Sequence, residues 1–525
     1  MAVYRSPRPD VEIPDRALTP FLLDRVRELG DRPAFVEGPS GRTVTYADID
    51  RGVCALAGGL AARGFRKGDV FALYLPNVPE YPIAFHGVAL AGGTVTTVNP
   101  LYTVDELSFQ LGDAGASYLL TVPQFLEVAR EAAGRAGVKE VLVLGEAEGA
   151  APFSSLMDPS APVPEVDIDP AEDVVVLPYS SGTTGGPKGV MLTHRNLVGN
   201  VLQSEVVHPI GGEDRLLGVL PFFHIYGQTV IMNMGMHLGA TVVTMPRFDL
   251  EQFLGVIQDH RVTFAHLVPP IVLALAKHPA VDNYDLSSLR IVFSGAAPLG
   301  PELEEACSRR LGVSVIQGYG MTETSPVTHV RDLNDTAHPG SIGPPVSSTE
   351  ARVVDWATGE DVAAGSAGEV VVRGPQVMKG YLNNPEATAH TIDADGWLHT
   401  GDIGRADEDG VFFIVDRLKE LIKYKGFQVP PAELEAILLT HPAVADAAVI
   451  PSPDDEAGEI PKAFVVLKPG ADASGDDLMT FAAEHVSPQK RIRLVEFTDA
   501  IPKSASGKIL RRVLVDRERA AVAGS

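Results

Sequence analysis

Short apolar runs of strand length alternate with stretches of helical spacing through most of the chain. Ile49, Val53, Leu56 and Leu60 recur three or four positions apart. They follow Thr45 and Asp48, which stand at the spacing of a capping box, so a helix is predicted from about residue 46. Gly64 and Gly68 break that pattern, and residues 70–75 read as a buried strand. Residues 118–122, 141–144, 263–268 and 291–293 are further short apolar strands, and residues 250–258 have helical spacing. This alternation predicts an α/β fold with helices on both faces of layered sheets.

The texture changes near residue 345. Short strands at 351–354 and 369–372, separated by Gly and Asp turns, predict a small β-rich subdomain. A polar segment follows Asp416 and Arg417, and then a fresh α/β pattern begins, with a helix at 432–439 and strands at 445–450 and 462–467. The expected organisation is a large N-terminal domain over residues 1–415, a hinge at 416–419, and a smaller, mobile C-terminal α/β domain over 420–525. The chain has no internal repeat or low-complexity tract.

Composition supports several packed domains. With 525 residues the chain is too long for one core. Its 45% hydrophobic and 21% charged content is that of a soluble globular protein. A net charge of −25 argues against nucleic acid or anionic membranes as partners. Lys503, Lys508, Arg511, Arg512, Arg517 and Arg519 are a local exception. They read as a solvated helix face or as a site for an anionic ligand. Cys54 and Cys307 have neither CxxC spacing nor a histidine cluster, which fits a reducing cytoplasm. The first residues carry prolines and acids without an apolar core, unlike a signal peptide. The apolar stretch 81–98 contains His86 and glycines, so no transmembrane helix and no integral membrane association are expected.

The clearest chemistry lies at residues 179–189, YSSGTTGGPKG. The β-branched run 174–177 precedes it, and a helical segment begins near Asn196. Strand, Gly-rich loop and helix in that order aim backbone N–H groups at phosphate. Ser180, Ser181, Thr183 and Thr184 add hydroxyls around Gly182, and Lys188 adds a positive charge. It is not a Walker A loop: counting from Gly182, Pro187 takes the place of the second glycine and Gly189 that of Ser/Thr. A mobile surface loop is the bland alternative, but the lysine and the buried strand before it favour phosphate binding.

This loop resembles the signature of the adenylate-forming superfamily of acyl-CoA ligases, luciferases and adenylation domains. Further motifs follow in that superfamily's order: PFFHIYG at 221–227, QGYGMTE at 317–323, HTGD at 399–402, DRLKELIKYKGFQ at 416–428 and PKSASGK at 502–508. Within it, PFFHIYG, VPPIVLALAKHP (268–279), SGAAPLG (294–300) and IKYKGFQVPPAELE (422–435) most resemble the 4-coumarate:CoA ligases. The resemblance implies ATP, Mg2+ and coenzyme A as reactants and cofactor, and a small carboxylic acid as substrate.

Adenylation brings a carboxylate to the α-phosphorus of ATP, so it needs charge neutralisation and in-line positioning. Lys508 suits that need, although position alone would make it one more lysine of a basic tail. A carboxylate beside a triphosphate needs an intervening cation, so Glu323 reads as a magnesium ligand; without the family context it would read as a helix cap. The resemblance assigns AMP contacts to Gln317, Gly318, Tyr319 and Thr322, and the ribose to Asp402 and Arg417. An isolated Asp402 would equally serve a turn. His224, which alone reads as a packed core histidine, is placed beside the acyl carboxylate as a gate for the thiol. Tyr226, Ala296 and Gly318 are placed along the acyl group, with the Tyr226 hydroxyl able to bond a phenol.

The second half-reaction needs a thiol to reach the adenylate, so one site must meet two faces of the small domain. The resemblance assigns Lys419 to the hinge, Lys423 and Gln428 to the adenylate, Lys425 and Gly426 to the pantetheine tunnel, and Arg247 to a CoA phosphate. Alone, the three lysines read equally as a solvated face. Phe293, Val230 and the Thr324-Ser325 pair depart from the coumarate ligases and leave the acid itself open. The expected activity is ligation of a 4-coumarate- or cinnamate-type acid to CoA by a monomer or homodimer. A medium- or long-chain fatty acyl-CoA ligase is the alternative. A carrier-loading enzyme, a luciferase-type oxygenase and a non-enzymatic binding protein fit less well.

Overall fold

The computed structural model describes residues 3–180, 186–425, 427–454, 456–504 and 507–523. Among them, the strands form four sheets. The first carries Val70–Leu73, Thr94–Thr97, Ala116–Thr121, Glu140–Val143 and Val174–Ser180 as parallel strands. The second carries Pro33–Glu37, Thr241–Thr244, Arg215–Gly218, Phe264–Leu267, Ile291–Ser294 and Ser314–Gly320 in parallel. Buried strand residues from both sheets and the apolar faces of the helices Leu18–Leu29, Tyr46–Ala62, Tyr81–Leu90 and His194–Val207 share one core.

Local chemistry explains these elements. Thr45 caps the helix Tyr46–Ala62 in a reciprocal box with Asp48, and Ile49, Val53, Leu56 and Leu60 are fully buried. Its glycines permit close packing. A Cβ on Gly59 would sit 1.8 Å from the carbonyl oxygen of Leu156, so no larger residue fits.

The predicted β-rich region forms the third sheet, from Glu350–Val354, Gly368–Arg373, Leu398–Ala406 and Phe412–Arg417. The N-terminal pair Tyr4–Arg5 joins its edge, with Arg5 bonded to Glu350 at 2.6 Å. The fourth sheet contains Ile422–Tyr424, Phe427–Val429, Val444–Asp454 and Gly458–Leu467, with Leu494–Phe497 alongside. It has its own core, including Val429, Leu434, Leu438, Val449, Val465 and Leu478.

Two expectations change. Lys188–Thr193 is a strand that pairs antiparallel with Val174–Ser180, so a strand and not a helix follows the Gly-rich segment. The helix His194–Val207 starts only beyond that strand, capped by Thr193 and Asn196. The C-terminal basic residues do not form one solvated face either. Arg511 is largely buried and bonded to Glu420 and Glu435, and Lys503 is bonded to Asp446 at 2.6 Å.

Candidate active site

The sequence motifs converge because they follow the C-terminal ends of parallel strands, where open α/β sheets bind ligands. PFFHIYG follows Arg215–Gly218, the Val268 segment follows Phe264–Leu267, and the Gly295 turn follows Ile291–Ser294. Gly318 to Gly320 close Ser314–Gly320, and the turn Thr322–Thr324 carries Glu323.

The small domain delivers Lys508 to this edge. Ser504 holds its loop: Lys508 N–H donates to Ser504 Oγ at 3.2 Å, and Ser504 N–H donates to the Lys508 carbonyl at 2.8 Å. Gly507, at φ +77°, supplies a left-handed turn, and a Cβ there would lie 2.9 Å from Val268 Cγ2. Desolvation and then the Arg417 charge push the Lys508 amine down to about 8, against the pull of Asp402, Glu420 and Glu323. The charge of Lys508 in turn assists burial in lowering His224 to about 4. Tyr226 N–H donates to His224 Nδ1 at 3.2 Å, so the neutral ring carries its proton on Nε2.

Asp402 and Arg417 face each other across paired strands, with Nε and Oδ1 3.4 Å apart. Tyr319 donates its hydroxyl to Asp402 Oδ2 at 2.5 Å. Burial raises the Asp402 carboxyl, against the Arg417 charge. Glu323 is buried and accepts from the Tyr381 hydroxyl at 2.8 Å. Lys188 Nζ lies 4.9 Å from the centroid of that same Tyr381 ring. Tyr381 thus links the phosphate hairpin to Glu323, a role that a Gly-Tyr pair beside a turn does not announce.

Other assignments are placed differently. The Gln317 side chain accepts from Leu299 N–H at 2.8 Å and donates to the Leu299 carbonyl at 2.9 Å, stapling the SGAAPLG turn. Ala296 in that turn has φ +70°, a strained conformation for a residue with a Cβ. Gly318 faces Phe293, and Gly295 faces the Tyr226 ring, at distances a Cβ would fill. Thr322 opens the turn that carries Glu323.

Lys423 and Gln428 are not gathered around Lys508. They oppose each other on the exposed hairpin of the small domain. Lys425, at φ +45°, sits in its turn and pairs with Glu456 at 2.5 Å. Arg247 is exposed beyond Thr241–Thr244. Ser180 ends its strand opposite Lys188. Ser181, Gly182, Thr183, Thr184 and Gly426 lie outside the described residues.

At residues 416–419, Asp416 accepts from the N–H of Arg417 at 2.7 Å and of Ala432 at 2.8 Å, tying the expected hinge to the helix Pro431–Thr440. Among the described residues, no group of three or more His, Cys, Asp or Glu side chains could hold a metal ion, and no helix is long and apolar enough to cross a membrane.

A two-layered α/β body whose strand ends meet a lysine from a second, separately cored domain defines a nucleotide-using enzyme. The chain belongs to the AMP-binding enzyme family, which it matches over residues 22–382, with the AMP-binding enzyme C-terminal domain over residues 433–508. It is 47% identical to 4-coumarate--CoA ligase 5 of Oryza sativa subsp. japonica, covering 98% of this chain and 96% of that one. It is 46% identical to 4-coumarate--CoA ligase 2 of Nicotiana tabacum over the same shares. The fold resembles the anthranilate CoA ligase AuaEII in complex with anthranoyl-AMP, with a TM-score of 0.90, 28% identity, and 98% and 99% of the two chains covered.

Proposed function

We propose that this chain is an ATP-dependent carboxylic acid:CoA ligase for 4-coumarate-type aryl acids. The observation that carries the reading is the meeting of Lys508 with Asp402, Arg417, Glu323 and His224 across the two domains. A substrate carboxylate oxygen attacks the α-phosphorus of ATP, the bond to pyrophosphate breaks, and an acyl-AMP forms. Lys508 offsets the charge of the two approaching anions. Asp402 and Arg417 hold the ribose, beside Tyr319. Lys188, Ser180 and the loop hydroxyls hold the phosphates, with Glu323 and Tyr381 fixed against them.

A magnesium ion fits Glu323, a hard oxygen donor. Bound there, it would offset the charge of the phosphates. In the second half-reaction the CoA thiolate attacks the acyl carbonyl and AMP leaves. The hairpin bearing Lys423, Gln428 and Lys425 then replaces Lys508 by rotation about Lys419, while His224 yields the thiol its path and Arg247 meets a CoA phosphate.

Relatives named 4-coumarate--CoA ligases at 44–47% identity support the aryl acid. So does the acyl end of the site, where the flat rings of Tyr226 and Phe293 lie against Gly295 and Gly318. An ATP- and CoA-dependent screen of aryl-propenoic and fatty acids, ranked by kcat/KM, tests this. Aryl-propenoic acids are expected to rank first; a ranking led by fatty acids would overturn the substrate assignment.

A further inference from the structure

The helix Pro431–Thr440 of the small domain lacks caps of its own. Pro430 stands at its N-cap and offers no side-chain acceptor, Pro431 has no N–H, and the last turn carries no basic residue. Both ends are nonetheless met, by residues that lie before Lys419. Asp416, on the strand Phe412–Arg417, accepts from Ala432 N–H at 2.8 Å. Lys277, the last residue of the helix Pro269–Lys277, donates to the Leu439 carbonyl at 3.1 Å. A carboxylate thus sits at the positive end of the helix and an ammonium at the negative end, the pairing that a helix dipole favours.

Asp416 is 4% exposed, and burial raises its carboxyl to about 6 against the Arg511 charge, which leaves it ionised at neutral pH. Burial and then the charge of Lys468 lower the Lys277 amine from its ordinary value. Lys468 follows the strand Gly458–Leu467 and donates to the Pro442 carbonyl at 2.5 Å, near the same helix end, but both of its groups belong to the small domain. The helix Pro269–Lys277 reaches the catalytic loop as well. A Cβ on Gly507, beside Lys508, would lie 3.7 Å from Pro270 Cδ. This one helix therefore meets the Lys508 loop at its start and the helix Pro431–Thr440 at its end.

We infer that Lys277 and Asp416 are positioning residues that grip the two ends of this helix and so hold the small domain in the orientation that places Lys508 at the nucleotide edge. The inference rests on the proposed ligase reading, in which adenylation uses this orientation and thioester formation does not. Rotation about Lys419 carries Leu439 away from Lys277 and Ala432 away from Asp416, so both end contacts are lost together. Each contact, a helix cap or a charge at a helix end, is of modest strength, which suits a hold that must release in every turnover.

The test follows both half-reactions by single turnover in the purified full chain: acyl-AMP formation from ATP and 4-coumarate, and thioester formation from supplied 4-coumaroyl-AMP and CoA. The Lys277 side chain is exposed, so its variants should fold. Lys277→Ala is expected to slow the first half about two- to fivefold and to leave the second unchanged or faster. Lys277→Arg keeps the charge and should restore the first half. Asp416→Ala should slow the first half about threefold or more, and the double variant should slow it further. Lys468→Ala is the control: it weakens the same helix end within the small domain and should not separate the two halves. Equal slowing of both halves by Lys277→Ala, or no change in either, overturns the inference. If Asp416→Ala does not fold, the Lys277 variants decide. Resonance energy transfer between one label on each domain, read without substrates, separates this inference from the ligase reading. A longer or broader distance in Lys277→Ala supports the grip, and an unchanged one overturns it. A wild type that forms no acyl-AMP with any acid overturns the ligase reading, and the distance then decides the grip by itself.

Discussion

Lys508 shows how far a residue's type and its setting must be read together. Its amine is pushed down to about 8 by desolvation and by Arg417. Adenylation needs the charged form, which is present below that pH and lost above it. The rate constant kcat/KM for adenylate formation, which reports the free enzyme, should therefore fall above about pH 8. Lys508→Arg keeps its charge, so that limb should disappear from its profile even at a lower overall rate; an unchanged limb would assign it to another group. Lys508, Asp402 and Glu323 each close a distinctive motif and Arg417 stands near the start of another, which is why the sequence singled them out. A motif does not say which way an amide points, and the side-chain amide of Gln317 bonds the backbone of Leu299.

At the scale of elements, the strand Ser314–Gly320 places the nucleotide edge. A Cβ on Gly320 would lie 2.0 Å from the Pro326 carbonyl oxygen, and both groups are backbone. Gly320→Ala must therefore push apart Ser314–Gly320 and Val327–Val330, and with them the turn carrying Thr322 and Glu323. A loss of about 2–4 kcal/mol in denaturant unfolding, together with lost adenylation, is expected. A fully stable variant would show that this approach is loose. The apolar alternation placed several buried strands to within a residue or two, as in Phe264–Leu267. It left others unnamed, among them Pro33–Glu37, Thr94–Thr97 and Arg215–Gly218. It missed Lys188–Thr193, which is short, holds Gly189 and runs directly into the Thr193 capping box, so the helical pattern absorbed it. It also missed Tyr4–Arg5, because two residues carry no periodicity.

Across the whole molecule, charge holds the small domain together as well as serving the site. Arg511 bonds Glu420 beside the expected hinge and Glu435 on the helix Pro431–Thr440. Burial raises Glu435 to about 7, with Arg511 opposing the rise. Arg511→Ala leaves the buried Glu435 without its cation and Glu420 with only the longer contact to Arg417 at 3.9 Å, and removing one partner of a buried pair costs about 3–5 kcal/mol. Residues 420–525 should then become protease-sensitive ahead of the rest of the chain; unchanged resistance would show that the pairs contribute little. The same geometry sets the central claim. Lys508 is buried at the nucleotide edge while Lys423 and Gln428 stand exposed on the hairpin of the small domain, so the two half-reactions should separate on mutation. The direct test is single-turnover kinetics of Lys508→Ala in both halves: acyl-AMP formation from ATP and 4-coumarate, and CoA thioester formation from supplied 4-coumaroyl-AMP. The first should fall by about a hundredfold or more and the second by less than about tenfold. Equal loss in both, or no loss in the first, would contradict the account.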